Sequence, residues 1–284
     1  MLNFRRYQRY FLILAVALII LIILGFTRGT HGNLEVWFFD VGQGDAILIR
    51  TPSDHQILID GGPDNTILQK LGNVLPFWDK SLDFVALTHP HADHLTGLLE
   101  VAQRYNVEHF LISGVGCSNA LCDEWQKELG QEPNKTLKAT VGQKIEFDDG
   151  VKIEVLAPTD EMLRNGNLNN TSVVLRLSYK KFDAIFSGDA ESDEQDAILG
   201  ESKNLQSEVY KIPHHGSENG VNLNFFQAVS PEVAVISVGK DNPYGHPHQA
   251  ALELFSKIKV LRTDEDGDIK IWATPTDYFF KSYK

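Results

Sequence analysis

Short apolar runs and polar breaks alternate along most of the chain, and the period of the apolar positions changes from segment to segment. Eleven runs rich in β-branched and aromatic residues, bounded by Gly, Pro, Asp or Asn, read as strands: "LEVWFFDVG", "DAILIRT", "HQILIDGG", "FVALTH", "HFLISG", "VKIEVLAP", "SVVLRLSY", "FDAIFSGD", "EVYKIPHH", "VAVISVG" and "DIKIWAT". In "LEVWFFDVG" and "VKIEVLAP" apolar and polar positions alternate, which predicts one face on a core and one outside. "FVALTH" and "VAVISVG" are apolar on both faces and predict strands covered on both sides. Helical stretches lie between several of them, in "HLTGLLEVAQRYN", "ESDEQDAILG" and "HQAALELFSKI". The pattern predicts an α/β fold with more strands than helices, two packed sheets with helices outside. No repeat at a period of roughly 20 to 50 residues interrupts it.

The N-terminus departs from this pattern. Arg5, Arg6 and Arg9 precede an unbroken apolar run from Tyr10 to Phe26. At ~1.5 Å per residue that run makes a helix of roughly 25 Å, near the short end of what crosses a hydrocarbon core. It is followed by "TRGTHG", without the small-x-small pattern of a cleavage site, so an uncleaved signal anchor is expected. The three arginines then keep the start of the chain in the cytoplasm and send the rest outward. The expected organisation is a tail and transmembrane helix over residues 1–30 and one domain over 31–284 in the extracytoplasmic space.

The net charge is −12; the first thirty residues hold four arginines and no acid, so the remainder carries 22 basic against 38 acidic side chains, a net −16. Stable binding of a long nucleic acid needs basic surface, and no basic run is visible. A phosphate-bearing substrate would have to be attracted locally, by metal ions. Cys117 and Cys122 form a lone C-x4-C pair, for which a small disulfide loop outside the cytoplasm is the simplest reading.

The residues able to do chemistry cluster at strand ends. Asp40, Asp60, His89, Asp189 and the pair His214/His215 each follow an apolar run, where loops of α/β folds assemble sites. His89, His91, Asp93 and His94 form H-x-H-x-D-H directly after a buried strand. Imidazoles and carboxylates without thiolate suit a hydrolytic metal site more than a structural one. In a loop, His89 and His91 can face one way and Asp93 and His94 another, which points to two ions. Two ions about 3.5 to 4 Å apart need a bridging carboxylate, and Asp189 of "AIFSGDA" is the candidate. His246 and His248 of "PYGHPH" add further imidazoles, while His31, His55 and His109 read as ordinary surface or loop residues.

"THPHADH" followed by "SGD" resembles the metallo-β-lactamase superfamily. With "FFDVGQGDAILI", "LIDGG", "NNTSVVLRL", "PHHGS" and "YGHP", residues 34–274 resemble the branch formed by the extracellular domain of ComEC-type DNA-uptake proteins. The resemblance implies an αββα sandwich with two divalent ions at one edge, zinc or, in phosphodiesterases, manganese. It implies His89 and His91 on the first ion, Asp93 and His94 on the second, Asp189 between them, and His214 or His215 completing the second. Asp60 would buttress the histidine loop, and Asp40, Gln43 and Asp45 would line the site. The superfamily often places a third histidine where this chain has Asn169, Asn170 and Ser172, which predicts a weaker first site or one suited to a harder ion.

Three function classes follow: a membrane-anchored, two-metal phosphodiesterase or nuclease; a hydrolase of an ester, lactam or phosphocholine group in the envelope; and a non-catalytic module of an uptake assembly. The first is favoured, and the third is disfavoured because the ligand set is nearly complete and a retired site would be free to lose it. In it Asp93 or Asp189 holds the attacking water, and His246 serves as general acid. The membrane channel and the OB-type domain of full ComEC proteins have no counterpart in the sequence, so transport is not carried over.

Overall fold

The computed structural model describes residues 7, 8, 10–18, 32–164, 166–201 and 204–284. One sheet contains β1 (Leu34–Phe38), β2 (Ile47–Arg50), β3 (Gln56–Ile59), β4 (Ser81–Leu87), β5 (Asn106–Ile112) and β6 (Thr136–Lys138). The other contains β7 (Lys144–Glu146), β8 (Lys152–Ala157), β9 (Val174–Tyr179), β10 (Phe182–Phe186), β11 (Val209–Lys211), β12 (Val233–Ile236) and β13 (Lys259–Arg262). The last two strands, β14 (Asp268–Ala273) and β15 (Tyr278–Tyr283), return to the first sheet, whose order is β15-β14-β1-β2-β3-β4-β5-β6; the second runs β13-β12-β11-β10-β9-β8-β7.

The alternation in the sequence decides which face each strand buries. In β1 and β14 the residues Leu34, Val36, Phe38, Ile269 and Ile271 point between the sheets, where they meet Leu175, Leu177 and Phe186 of the second sheet. Phe38 packs on Phe186 across the gap, ring centroids 6.1 Å apart, and each buried ring contributes on the order of 2 kcal/mol from apolar area alone. The strands apolar on both faces feed two cores: Ala86 of β4 faces inward, and Val85 and Leu87 face the helices.

Those helices are α1 (Thr66–Val74), α2 (Ala92–Ala102) and α3 (Ala120–Gln131) on the first sheet, which bury Leu71, Leu95, Leu98 and Trp125. On the second sheet α4 (Ser192–Glu201), α5 (Leu223–Val229) and α6 (Gln249–Leu254) bury Ile198, Phe225 and Ala251; a single turn, α7 (Thr263–Asp266), precedes β14. The result is four layers, αββα.

Four strands escaped the pattern. β6 and β7 are three residues long and bury nothing fully, β13 follows directly on the stretch "HQAALELFSKI" with one fully buried residue, and β15 is an edge strand largely exposed on both faces. Cys117 and Cys122 are disulfide-bonded, and Asn119 between them caps α3 by accepting from the Cys122 N–H at 2.9 Å.

The expected transmembrane helix is not established. Residues 10–18 are helical, with Phe11, Leu12, Ile13 and Leu14 exposed, but among the described residues no helix is long and apolar enough to cross a membrane. Residues 19–26 of the expected span lie outside the described residues.

Candidate metal centre

The parallel strands β3, β4 and β5 in one sheet and β10, β11 and β12 in the other direct their C-terminal loops to one edge, where the hairpin between β1 and β2 also turns. His89 follows β4, and His91 is the N-cap residue of α2, so Asp93 and His94 occupy its first turn. A carboxylate there faces the positive end of the helix. α2 lies so close to the loop after β3 that a Cβ on Gly97 would collide with the Gly61 carbonyl. The approach is bridged by Gly61 N–H to His94 O at 2.8 Å, which sets Asp60 beside His94.

Asp189, in the loop after β10, is the hub. Its Oδ2 lies 3.7 Å from His89 Nε2, 3.3 Å from His94 Nε2, 4.0 Å from His214 Nε2 and 3.7 Å from His215 Nε2. The other nitrogen of each ring faces a polar group, which is a hydrogen-bond partner for His89, His94 and His215. His94 Nδ1 is 2.7 Å from Asp60, His215 Nδ1 is 2.9 Å from Ser237 O, His89 Nδ1 is 3.1 Å from Thr88 Oγ1, and His214 Nδ1 is 3.4 Å from Glu191. Such outer partners aim imidazoles at a metal. His94 Nε2 is buried without a hydrogen bond, the condition expected of a ligand atom whose partner is an ion.

Among the described residues three sets of donor atoms come close enough to share an ion: His89, His94 and Asp189; Asp93, His94 and His215; and Asp45, Asp60 and His94. His215 Nε2 sits 3.2 Å from Asp93 Oδ2, so His215 rather than His214 belongs with Asp93 and His94. His214 and His215 both have left-handed backbone, φ +50° and +52°, and both present Nε2 to Asp189 Oδ2. Non-glycine residues hold that conformation at a cost of roughly 1 to 2 kcal/mol each, a strain typical of functional loops. His91 Nδ1 lies 2.9 Å from His89 Nε2, at the wall of the cavity.

The asparagines act behind the imidazoles. Asn169 Nδ2 donates to Glu191 Oε1 at 3.0 Å and Asn170 Oδ1 accepts from Glu191 N at 2.9 Å, so together they place a carboxylate behind His214. Ser172 Oγ accepts from the Asp189 N–H at 3.1 Å and anchors that loop. Glu191 was missed because an acid opening a helix reads as a solvated first turn.

Asp40 does not line the site: its Oδ1 accepts from Gly42 N–H at 3.2 Å and closes its own loop. Asp45 is buried behind the imidazoles, against Lys211. Of that segment only Gln43 reaches the cavity, which is about 370 Å³ and is lined also by His91, Asp93, His214, His215, Tyr244 and His246. His248 Nδ1 accepts from Glu218 N–H at 3.0 Å, a structural contact.

Charge divides the imidazoles. Burial opposes protonation of His94, but Asp189, Asp60 and Asp93 raise its pKa well above the ordinary value. His215, also buried, is raised to about 10 by Asp189, Asp45 and Asp93. Burial and the neighbouring His94 keep His89 well below its usual range. Asp93 and Asp189 stay ionised because His94 and His215 outweigh their burial. His246 is pushed down to about 4 by burial and by His215, His214 and His248. In the ion-free chain that ring is neutral at pH 7: it keeps one N–H with which to donate a hydrogen bond, and would have to be protonated to act as an imidazolium acid.

Two predictions arise here. With no ion bound, His94 and His215 hold protons at neutral pH, so loading releases about two protons per chain, and apparent affinity climbs as pH rises from 7 toward the His215 value of about 10. Calorimetry in buffers of different ionisation enthalpy reads the proton count; no release would contradict it. In Asp60→Asn the His94 ring loses its anionic partner, and ion affinity should fall roughly 10- to 100-fold with the fold intact.

A four-layer αββα sandwich carrying a histidine and aspartate cluster at one edge defines the metallo-hydrolase class of fold. The chain belongs to the metallo-beta-lactamase superfamily, which it matches over residues 39–240. It is 30% identical over 256 residues to ComE operon protein 3 of Bacillus subtilis, covering 83% of this chain and 32% of that protein. It is likewise 30% identical over 244 residues to competence protein ComA of Neisseria gonorrhoeae, covering 84% and 32%. The chain thus spans about a third of these relatives' length. Among solved structures, Igni18, a metallo hydrolase from the archaeon Ignicoccus hospitalis, superposes with a TM-score of 0.51 at 18% identity, covering 88% of this chain and 100% of that one. At that identity the likeness concerns the fold.

Proposed function

We propose that the chain is a two-metal phosphodiesterase or nuclease, tethered to the membrane by its N-terminal segment with the catalytic domain outside. The observation that carries the reading is the convergence of four Nε2 atoms on one oxygen of Asp189, with His89, His94 and His215 hydrogen-bonded from behind. His94 and His215 with Asp93 would hold one ion; His89, His91 and His214 would hold the other; Asp189 would lie between. The His214 imidazole offsets the absent third histidine, so zinc suits both positions, with manganese the alternative. The ions would supply positive charge and an acidified water.

The chain's own groups do the rest. Asp93 accepts a hydrogen bond from the attacking water and orients it. Gln43 Nε2, buried without a partner at the cavity wall, donates to a phosphoryl oxygen, and the neutral His246 donates to the departing oxygen. Similarity to competence proteins supports a nucleic-acid substrate, whereas the net −16 beyond the first thirty residues favours a small or briefly held phosphodiester, or an envelope ester.

The test is turnover by the full chain, in detergent, of bis-p-nitrophenyl phosphate and single-stranded DNA. Turnover of either supports the reading; turnover of neither, with ions bound, would shift it to an envelope ester. A steep loss of DNA cleavage with added salt would identify a polyanion as substrate.

A further inference from the structure

Among the described residues no lysine other than Lys211 is buried, and Lys211 is wholly so. It ends β11, between β10 and β12 in the middle of its sheet. A buried ammonium persists where its donors are met. Lys211 Nζ pairs with Asp45 Oδ2, donates to the Gly188 carbonyl at 2.8 Å, and lies 3.9 Å from Asp189 Oδ1. The same carbonyl also accepts from His214 N–H at 3.2 Å. One cation therefore joins the Asp45 loop, the Asp189 loop and the strand that delivers His214 and His215.

The two oxygens of Asp189 are made unequal by this arrangement. Oδ2 is ringed by four imidazole nitrogens, and Oδ1 faces the ammonium without a hydrogen bond of its own. Asp45 is affected too. With Asp60 and His94 it forms a donor set close enough for an ion, yet its Oδ2 is taken by Lys211.

We propose that Lys211 is a positioning residue that aims Asp189 Oδ2 at the imidazoles and holds Asp45 back as an outer partner, so that ions gather at Asp189. The proposal rests on the two-ion reading above. A cation built into the sheet does this without leaving the site when ions exchange.

The experiment is calorimetric titration of the ion-free full chain with manganese alone and with zinc alone, for wild type, Lys211→Met and Lys211→Met/Asp45→Asn. The double variant removes both buried charges together, so it avoids the unpaired carboxylate that could unfold the single one. Melting of the ion-free double variant should stay within a few degrees of wild type while affinity for at least one ion falls tenfold or more. Wild-type affinity for two ions in the folded double variant would overturn the proposal and leave the two-ion reading standing. A wild type that binds no ion would overturn both.

Discussion

Asp189→Ala should lose at least about 10³-fold in phosphodiester turnover, roughly 4 kcal/mol of transition-state stabilisation, while remaining folded. The reason is placement: the carboxylate removed is the one on which His89, His94, His214 and His215 all converge. Folding is expected to survive because the Asp189 N–H keeps its bond to Ser172 Oγ and the flanking β10 and β11 remain paired. The same variant should retain fewer than two ions per chain on elemental analysis. Normal turnover by a folded Asp189→Ala protein would remove the bridging carboxylate from the account.

Stripping the ions with a chelator should lower the melting temperature by roughly 10 to 20 °C for two sites, with recovery on adding zinc or manganese back. A ligand held at about 100 times its dissociation constant contributes about 2.7 kcal/mol per site, and a domain of this size shifts about 2 to 4 °C per kcal/mol. The shift should depend on pH. His215 in the ion-free protein is raised to about 10, so its contribution to stability is full below the unfolded value of about 6.5 and is lost as pH climbs through 10. Loaded and stripped proteins should therefore diverge further as the solution is made alkaline. Equal melting at every pH would mean that no ion binds the native state selectively.

Local pattern was enough for the parts of the fold whose signal is local. Alternation in "LEVWFFDVG" places Val36 and Phe38 in the inter-sheet core, and the doubly apolar "VAVISVG" becomes β12, whose Val235 and Ile236 feed two different cores. β15 carries no such signal: it is an edge strand paired with β14 through the adjoining hairpin, and its residues bury little. The site divides in the same way. H-x-H-x-D-H is compressed into six positions and is visible, whereas Lys211 pairs with Asp45 across 166 positions of chain. A lysine in "EVYKIPHH" reads as the exposed side of a strand; the clue was that its neighbours are apolar on both sides. Asp40 misled for the converse reason, since "DVGQGD" offers three polar side chains at one turn and only folding decides that Gln43 alone enters the cavity. The reading of His246 turned on charge from His214, His215 and His248, which no spacing reveals.

The central claim is that this edge of the sandwich holds two divalent ions that hydrolyse a phosphodiester. It is tested most directly by elemental analysis of the purified full chain, run beside its turnover of bis-p-nitrophenyl phosphate before chelation, after it, and after zinc or manganese is restored. The account predicts two ions per chain and turnover that disappears and returns with them. A chain that holds none, or turnover that survives chelation, would contradict it.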